Sequence, residues 1–101
     1  MEIVDLGTGK VQVRGALTFA TARRARAAGL RVIDISGDSP LEMDCSAVTE
    51  SDSAGLAVLL DWLALAKRRG RAIRFVALPA PIQAVARLSN VESFLNQGLT
   101  R

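Results

Sequence analysis

The chain has 101 residues, of which half are hydrophobic and 23% are charged, so it is large enough to bury the core of one globular domain without disulfides or metal. The net charge is only +3, and the aromatic residues are one tryptophan and three phenylalanines, which is too few to favour stacking on nucleic acid. Because histidine is absent and Cys45 is the single cysteine, the composition excludes His-based triads, the usual His metal sites and an internal disulfide.

Two strands are predicted at the start of the chain. The first is Ile3–Leu6, and the second is Lys10–Arg14, which alternates apolar and polar residues as a half-buried strand does. The segment Gly7–Gly9 between them predicts the turn of a hairpin. Gly15 is expected to end the second strand.

A helix is predicted next. Thr18 is the expected N-cap of a helix that begins near Phe19, with Phe19 among the residues of its apolar face. The run Leu30–Ile35 fits either the continuation of this helix or a strand, because its β-branched residues also suit a strand. The glycine and proline of residues 37–40 end whichever element precedes them.

The second half of the chain repeats the alternation of strands and helices. Leu41–Cys45 predicts a core strand, and the polar run Ser46–Asp52 predicts a loop. Asp52 or Ser53 is the expected cap of a helix over Ala54–Arg69, which a glycine ends. The remaining predicted elements are a strand, a helix with prolines at its start, a short last turn and a frayed tail: Ala72–Val76, Pro79–Leu88, Val91–Leu95 and Gly98–Arg101.

This order of elements predicts an α/β fold, a mixed sheet with helices packed on it. Since no linker or repeat interrupts the chain, residues 1–101 are expected to form a single domain. No uninterrupted stretch approaches the ~20 apolar residues of a membrane-spanning helix, because Asp61 breaks the longest one. The acidic start, Met1–Asp5, does not have the pattern of a signal peptide. We therefore expect a cytoplasmic protein.

The sequence offers no set of residues for catalysis. Cys45 lies on a predicted strand without a histidine partner, so a buried and inert thiol is expected. Glu42 and Asp44 share the other face of that strand, which favours a solvated surface over a catalytic pair of carboxylates. No glycine motif for a phosphate is present. We predict a non-enzymatic protein with no catalytic residue, no cofactor and no metal site.

The most informative segment is Asp52–Leu56, where small polar residues lead into an unusually apolar helix. Ser53 fits either a helix cap or an exposed hydroxyl at a helix N-terminus, available to a partner or to a kinase. The helix carries two apolar stripes, which fit either burial between the sheet and a neighbouring helix or a patch that a partner covers. Trp62 fits both. The arginines of the first helix are interpreted as a solvated face, and the cations of Lys67–Arg71 as complements of a helix dipole.

A longer motif surrounds this segment. It spans Leu41–Arg71 and reads Asp44-x-Ser46-x-Val48-x-x-x-Asp52-Ser53-Ala54-Gly55-Leu56, followed by the leucine-rich helix and by Arg-Arg-Gly. The motif resembles the STAS family, which includes anti-sigma factor antagonists and the small cytoplasmic subunit of the lipid-asymmetry ABC transporter. The similarity extends to Gly15–Phe19 and Phe75–Glu92, nearly the whole chain. It implies the STAS fold, a small mixed four-stranded sheet with helices on one side, and it implies that Leu30–Ile35 continues the first helix.

Two branches of this family imply two different partners. Anti-sigma factor antagonists are switched by phosphorylation of the serine directly before the motif glycine, and here that position is Ala54, which has no hydroxyl. Ser53 matches a hydroxyl position of the transporter subunits, and the segments Gly15–Phe19 and Ser53–Leu63 are also more similar to this MlaB-like branch.

The resemblance therefore implies a non-catalytic regulatory and assembly subunit that binds the ATPase of a phospholipid-transporting ABC complex. Such a subunit is cytoplasmic, reaches the inner membrane only through its partner and does not bind nucleic acid. The alternative is an anti-sigma factor antagonist that binds a kinase-type anti-sigma factor. Ser53 is also a candidate phosphorylation site. The residues expected to bind the partner are Asp52, Ser53, Ala54, Gly55, Leu56 and Trp62.

Overall fold

The computed structural model describes residues 1–35 and 39–88, which form strands and helices in the predicted order. These elements are β1 (Glu2–Gly7), β2 (Lys10–Leu17), α1 (Ala22–Ile35), β3 (Leu41–Ser51), α2 (Ser53–Arg68), β4 (Ile73–Val76) and α3 (Ala80–Leu88). The predicted last turn, Val91–Leu95, and the predicted tail, Gly98–Arg101, lie outside the described residues.

The four strands form one mixed sheet in the order β1-β2-β3-β4. β1 and β2 are antiparallel and are joined by a tight turn in which Gly7, Thr8 and Gly9 all have positive φ angles. β2 is parallel to β3, and β3 is parallel to β4. Each parallel pair is connected through a helix, α1 or α2, as parallel pairing requires. The predicted α/β class and mixed four-stranded sheet are confirmed.

The core lies on one face of this sheet, beneath the helices. Leu41, Met43 and Cys45 of β3 are buried, whereas Glu42 and Asp44 point to the opposite, partly solvated face. β2 and β4 contribute the buried residues Val11, Val13, Leu17, Ile73 and Phe75. The register predicted for the third strand is therefore confirmed, including the burial of Cys45.

Two predicted strand ends are wrong. β2 does not stop at Gly15 but continues to Leu17, and β3 does not stop at Cys45 but continues to Ser51 through the segment predicted as a loop. The two strands remain paired up to Leu17 and Ser51, although the register shifts twice along the way. Each shift inserts an unpaired residue and breaks the alternation of apolar and polar side chains on which the sequence prediction depended.

The predicted start of α1 is also wrong, because the helix begins at Ala22 rather than near Phe19. Thr18–Thr21 form a separate turn in which the Thr21 hydroxyl accepts the Thr18 amide at 3.0 Å and donates to the Ala16 carbonyl at 2.8 Å. Thr18 is therefore not the cap. Phe19, expected on the apolar face, is 84% exposed. The continuation of α1 to Ile35, implied by the family resemblance, is confirmed.

A buried arginine joins the end of α1 to the start of β4. Arg71 is only 4% exposed, and its guanidinium donates to the carbonyls of Ile33 at 2.9 Å and Ser39 at 2.8 Å. From the sequence, Arg71 was interpreted as one of the cations that complement the dipole of α2. Its guanidinium instead lies at the C-terminal end of α1, whose last carbonyls need donors from outside the helix.

Candidate functional site

The predicted site lies where β2 and β3 end and where the chain leads into α1 and α2. Because Leu17 and Ser51 are paired in register, the segments that follow them, Thr18–Thr21 and Asp52–Leu56, are adjacent at one edge of the sheet. We call these two segments the carboxyl edge. Ligand sites in open sheets with parallel strands commonly form at such an edge, since the connecting segments there leave the sheet in different directions.

Asp52 holds the two segments together. One carboxylate oxygen, Oδ1, accepts the backbone amides of Ala54 at 2.9 Å and Gly55 at 3.2 Å, and the other, Oδ2, accepts the amide of Phe19 at 3.1 Å. Asp52 is therefore the N-cap of α2, with extended backbone angles. Of the two caps that the sequence left open, this one is confirmed.

Ser53 is the first residue of α2 and is exposed. Within the described ranges its hydroxyl forms no hydrogen bond, so the interpretation of Ser53 as the cap is wrong. The physical reason is that the longer Asp52 side chain already accepts two of the orphan amides of the helix. Ser53 and the half-buried Ala54 are thus presented at the surface without a structural role for the hydroxyl.

Gly55 and Leu56, the next two predicted partner-binding residues, are packing residues. A Cβ atom on Gly55 would lie closer than 3.0 Å to the carbonyl oxygen of Leu17, so only glycine lets α2 approach β2 this closely. Leu56 is 5% exposed and belongs to the core. Gly55 and Leu56 therefore pack the start of α2 against the rest of the fold and leave little surface for a partner.

Trp62 does not belong to the surface at all. Its side chain is 0% exposed, lies against Gly29 of α1 and donates its indole N–H to the carbonyl of Arg26 at 3.3 Å. A partner cannot contact this side chain in the folded chain. The two apolar stripes of α2 are explained by burial, because its buried apolar side chains belong to the core cluster and the helix packs against α1 and α3. Trp62 was predicted at the partner surface because the apolar pattern of a helix does not show which neighbours cover it.

The surface side of the carboxyl edge contains residues that the sequence analysis did not select. Phe19 is exposed, and its backbone amide donates to Asp52, the residue before Ser53. Arg23 and Arg24 follow in the first turn of α1. Arg26, one turn further, forms an exposed ion pair with Asp61 of α2 at 3.0 Å. The available sequence signal for Phe19 was its position between two threonines, which favours a turn over a helix interior.

Two ionisable groups of β3 have shifted pKa values. Burial raises the pKa of Cys45 to about 12, so its thiol is protonated and unreactive. The Ser46 amide, which donates to Asp44 at 2.8 Å, lowers the pKa of that carboxyl. Within residues 1–35 and 39–88, no group of three or more His, Cys, Asp or Glu side chains could hold a metal ion. The helices of these ranges are all too short or too polar to cross a membrane.

Comparison with known proteins identifies the class. The sequence model of the family described as "Mlab, STAS domain" matches residues 5–97. The fold is similar to that of the anti-sigma factor antagonist SpoIIAA in its unphosphorylated form, with a TM-score of 0.63 and 12% identity over 86% of this chain and 81% of that one. It is also similar to a sulfate transporter family protein from Wolinella succinogenes, with a TM-score of 0.66 and 18% identity over 95% of this chain and 77% of the other. No curated protein matches the sequence.

The chain belongs to the STAS domain family. Its predicted fold, a mixed four-stranded sheet with helices, is the fold of SpoIIAA. STAS domains are generally regulatory and non-catalytic, and they interact with partner proteins.

Proposed function

We propose that the chain, as a single STAS domain over residues 1–101, is a non-catalytic subunit that binds the ATPase of a phospholipid-transporting ABC complex and supports its assembly and activity. In this proposal it is cytoplasmic and meets the inner membrane only through that ATPase. The docking surface is the carboxyl edge, with Ser53 at its centre. The observation that carries the proposal is the exposed Ser53 hydroxyl, which Asp52 releases from any capping role.

Two further features support this branch of the family. The family model that matches carries the name of the MlaB subunit. Ala54, directly before Gly55, cannot be phosphorylated as anti-sigma factor antagonists are at that position. The similarity to SpoIIAA is one of fold at 12% identity, so it favours neither partner.

The local geometry suits a closely packed protein contact. Ser53 and Ala54 are small, so a partner backbone can approach the start of α2 without displacing side chains. Asp52 keeps this surface rigid by fixing the adjacent turn through the Phe19 amide. A rigid surface binds with a smaller loss of conformational entropy than a mobile loop.

The test is a charge placed at the centre of this surface. Ser53→Glu should keep the melting temperature near that of the wild type, because an acidic side chain at a helix N-terminus stabilises by about 0.3–1 kcal/mol. Against the partner, an unpaired buried carboxylate costs roughly 3–5 kcal/mol, so binding should weaken at least about a hundredfold. The same change imitates phosphorylation of Ser53 and tests whether a phosphate there would release the partner.

The measurement is calorimetric titration of the purified ABC ATPase, and in parallel of the purified kinase-type anti-sigma factor, from the same cell. Ser53→Ala is the matched control. It should melt as the wild type does, since the Ser53 hydroxyl caps nothing, and it should bind largely as the wild type does, because alanine adds neither charge nor volume at this surface. Binding of the kinase and not of the ATPase would establish the alternative, an anti-sigma factor antagonist. Wild-type affinity of Ser53→Glu for the partner would show that docking occurs elsewhere.

A further inference from the structure

The carboxyl edge presents one large aromatic ring to solvent from a hydrogen-bonded stretch of backbone. Phe19 is 84% exposed, although its backbone amide is held by Asp52 at 3.1 Å and its carbonyl accepts the Ala22 amide at 3.4 Å. A mobile loop would let such a ring collapse onto nearby apolar surface. Here the backbone of Phe19 is held by hydrogen bonds on both sides, and within the described part of the chain Phe19 belongs to no core cluster. This arrangement needs an explanation other than stability.

Two cations follow Phe19 in the chain, at helix positions where the fold disfavours them. Arg23 and Arg24 lie in the first turn of α1, which contains no acidic residue, and the N-terminal end of a helix carries partial positive charge that repels cations. Among the residues that the structure describes, neither arginine forms an ion pair or a side-chain hydrogen bond. A solvated face explains their exposure but not their position.

Among the described residues, no acidic side chain near the carboxyl edge forms an ion pair with these two arginines. The first turn of α2 also lacks acidic residues, and both oxygens of the Asp52 carboxylate are occupied by backbone amides. Arg26, by contrast, is paired with Asp61. The carboxyl edge and the first turn of α1 therefore combine two helix N-termini, one exposed aromatic ring and two guanidinium groups that form no ion pair within the described residues.

We propose that the carboxyl edge selects a protein partner that has an apolar pocket for Phe19 bordered by Asp and Glu carboxylates for Arg23 and Arg24; this inference rests on the proposed docking function and specifies the chemistry of the partner. Aromatic and arginine side chains are the types that dominate binding energy at interfaces, above all when the partner desolvates them together. Guanidinium groups bind carboxylates in a two-pronged geometry that adds orientation to attraction. Ser53 and Ala54, which follow the Asp52 that accepts the Phe19 amide, are small and leave room for the rim of such a pocket.

A protein fits this surface better than a lipid bilayer does. Membrane-surface binding requires a broad apolar face along a helix, whereas the exposed positions of α1 next to Phe19 are mainly arginine and alanine. A single exposed ring, Phe19, with small residues nearby fits a pocket on a protein partner. The positive charge of the edge would then accelerate encounter with the acidic rim and make association sensitive to salt.

The experiment uses the purified ATPase as the probe and measures affinity at low and at high salt. Phe19→Ala should weaken binding roughly 30-fold, the loss typical of a buried anchor residue. The double charge reversal Arg23→Glu/Arg24→Glu should weaken it at least about tenfold at low salt and remove most of the salt dependence. This double variant should melt no lower than the wild type, because acidic side chains suit the first turn of a helix. Loss of binding without loss of stability is the expected signature.

Matched control variants test whether any loss of binding depends on where the substitution lies and not only on its chemical type. Arg31→Glu makes the same kind of charge reversal two turns further along α1, and Leu6→Ala removes an exposed apolar side chain at the opposite end of the sheet. Both should bind as the wild type does. If Ser53→Glu abolishes binding while the Phe19 and arginine variants bind normally, this inference is overturned and the docking proposal stands. If Ser53→Glu binds normally, the docking proposal itself fails.

A second measurement does not require the ATPase to be the partner. A photo-reactive phenylalanine analogue replaces Phe19 in the native cell, and Arg31 in a control strain. An adduct from position 19 alone supports the inference only when the captured protein is identified, binds the purified chain, and carries Asp or Glu residues next to the labelled peptide. Equal labelling from both positions, an adduct lacking acidic neighbours, or binding of the purified chain to anionic lipid vesicles that depends on Phe19 would overturn it.

Discussion

Gly29 is the position at which the smallest change should do the most damage. It lies in α1 opposite Trp62, and a Cβ atom there would be closer than 3.0 Å to three atoms of the indole ring. Trp62 is 0% exposed and cannot swing into solvent without leaving the core. Gly29→Ala must therefore displace the ring or separate α1 from α2. On helix propensity alone, the same substitution would stabilise the protein.

The magnitude follows from three opposing contributions. Alanine gains about 1 kcal/mol over glycine in a helix interior. Forcing an extra methyl group into a packed core costs about 1–3 kcal/mol. The displaced indole also loses its 3.3 Å hydrogen bond to the Arg26 carbonyl, and a buried donor left without a partner costs about 1–3 kcal/mol. We expect a net loss of about 3 kcal/mol in the free energy of unfolding, a large fraction of the stability of a small domain.

The assay is urea unfolding followed by circular dichroism and by fluorescence. Because Trp62 is the only tryptophan in the chain, its emission reports directly on the ring that Gly29→Ala displaces. The control is Ala27→Gly at an exposed position of the same helix, which should cost only about 1 kcal/mol and leave the emission unchanged. Adding Trp62→Phe to Gly29→Ala should recover part of the loss, a non-additivity expected only for residues in contact.

A single result would refute this reasoning. If Gly29→Ala is more stable than the wild type and its emission maximum is unchanged, the two helices are not packed as closely as the structure describes. The higher helix propensity of alanine would then stabilise the protein without a steric clash against Trp62.

Three further predictions concern single side chains. Asp52→Ala should lose about 1–2 kcal/mol through the missing cap of α2, whereas Asp52→Asn should retain that cap and lose only the link to the Phe19 amide, seen as faster amide hydrogen exchange at Phe19. Cys45 should react with a thiol reagent far more slowly in the native protein than in urea; because its pKa is raised from 9.0 to about 12, the stability it contributes is complete below pH 9.0 and is lost as the pH rises towards about 12. The pKa of Asp44 is lowered in the folded protein, so this carboxylate stabilises the fold above its ordinary pKa of 3.8, and the contribution is lost as the pH falls through the folded pKa. Asp44→Asn should therefore reduce the dependence of stability on pH in acid. An unchanged acid profile would contradict the Ser46 hydrogen bond as the cause of the lowered pKa.

Regular periodicity explains which parts of the fold were predictable from the sequence. Leu41, Met43 and Cys45 alternate strictly with polar residues, and this fixed both the strand and its buried face. The same rule failed at Ser46–Ser51, where the chain continues as a strand. That extension depends on pairing with β2 across register shifts, and pairing between distant segments is not encoded in the local pattern.

The candidate site was predictable as a segment but not residue by residue. Asp52–Leu56 was selected correctly as the junction of a strand and a helix, yet only the structure distinguishes the exposed Ser53 from the packed Gly55 and Leu56. Trp62 was assigned to the partner surface because an apolar helix looks alike whether a protein core or a partner covers it. Phe19 was missed for the converse reason, since a hydrophobic side chain is assumed to be buried until its neighbours are known.

Asp52 caps α2, whereas Ser53 is exposed and does not, and this difference has an evolutionary consequence. Because the carboxylate of Asp52 alone satisfies the first amides of α2, exchanges at position 53 carry little thermodynamic penalty for the fold. Hydroxyl, acidic and small side chains can therefore replace one another there by single mutations that leave the protein folded. A duplicated copy of such a gene could acquire a different partner at this position before any other residue changes, while Asp52 and Gly55 would remain under structural selection.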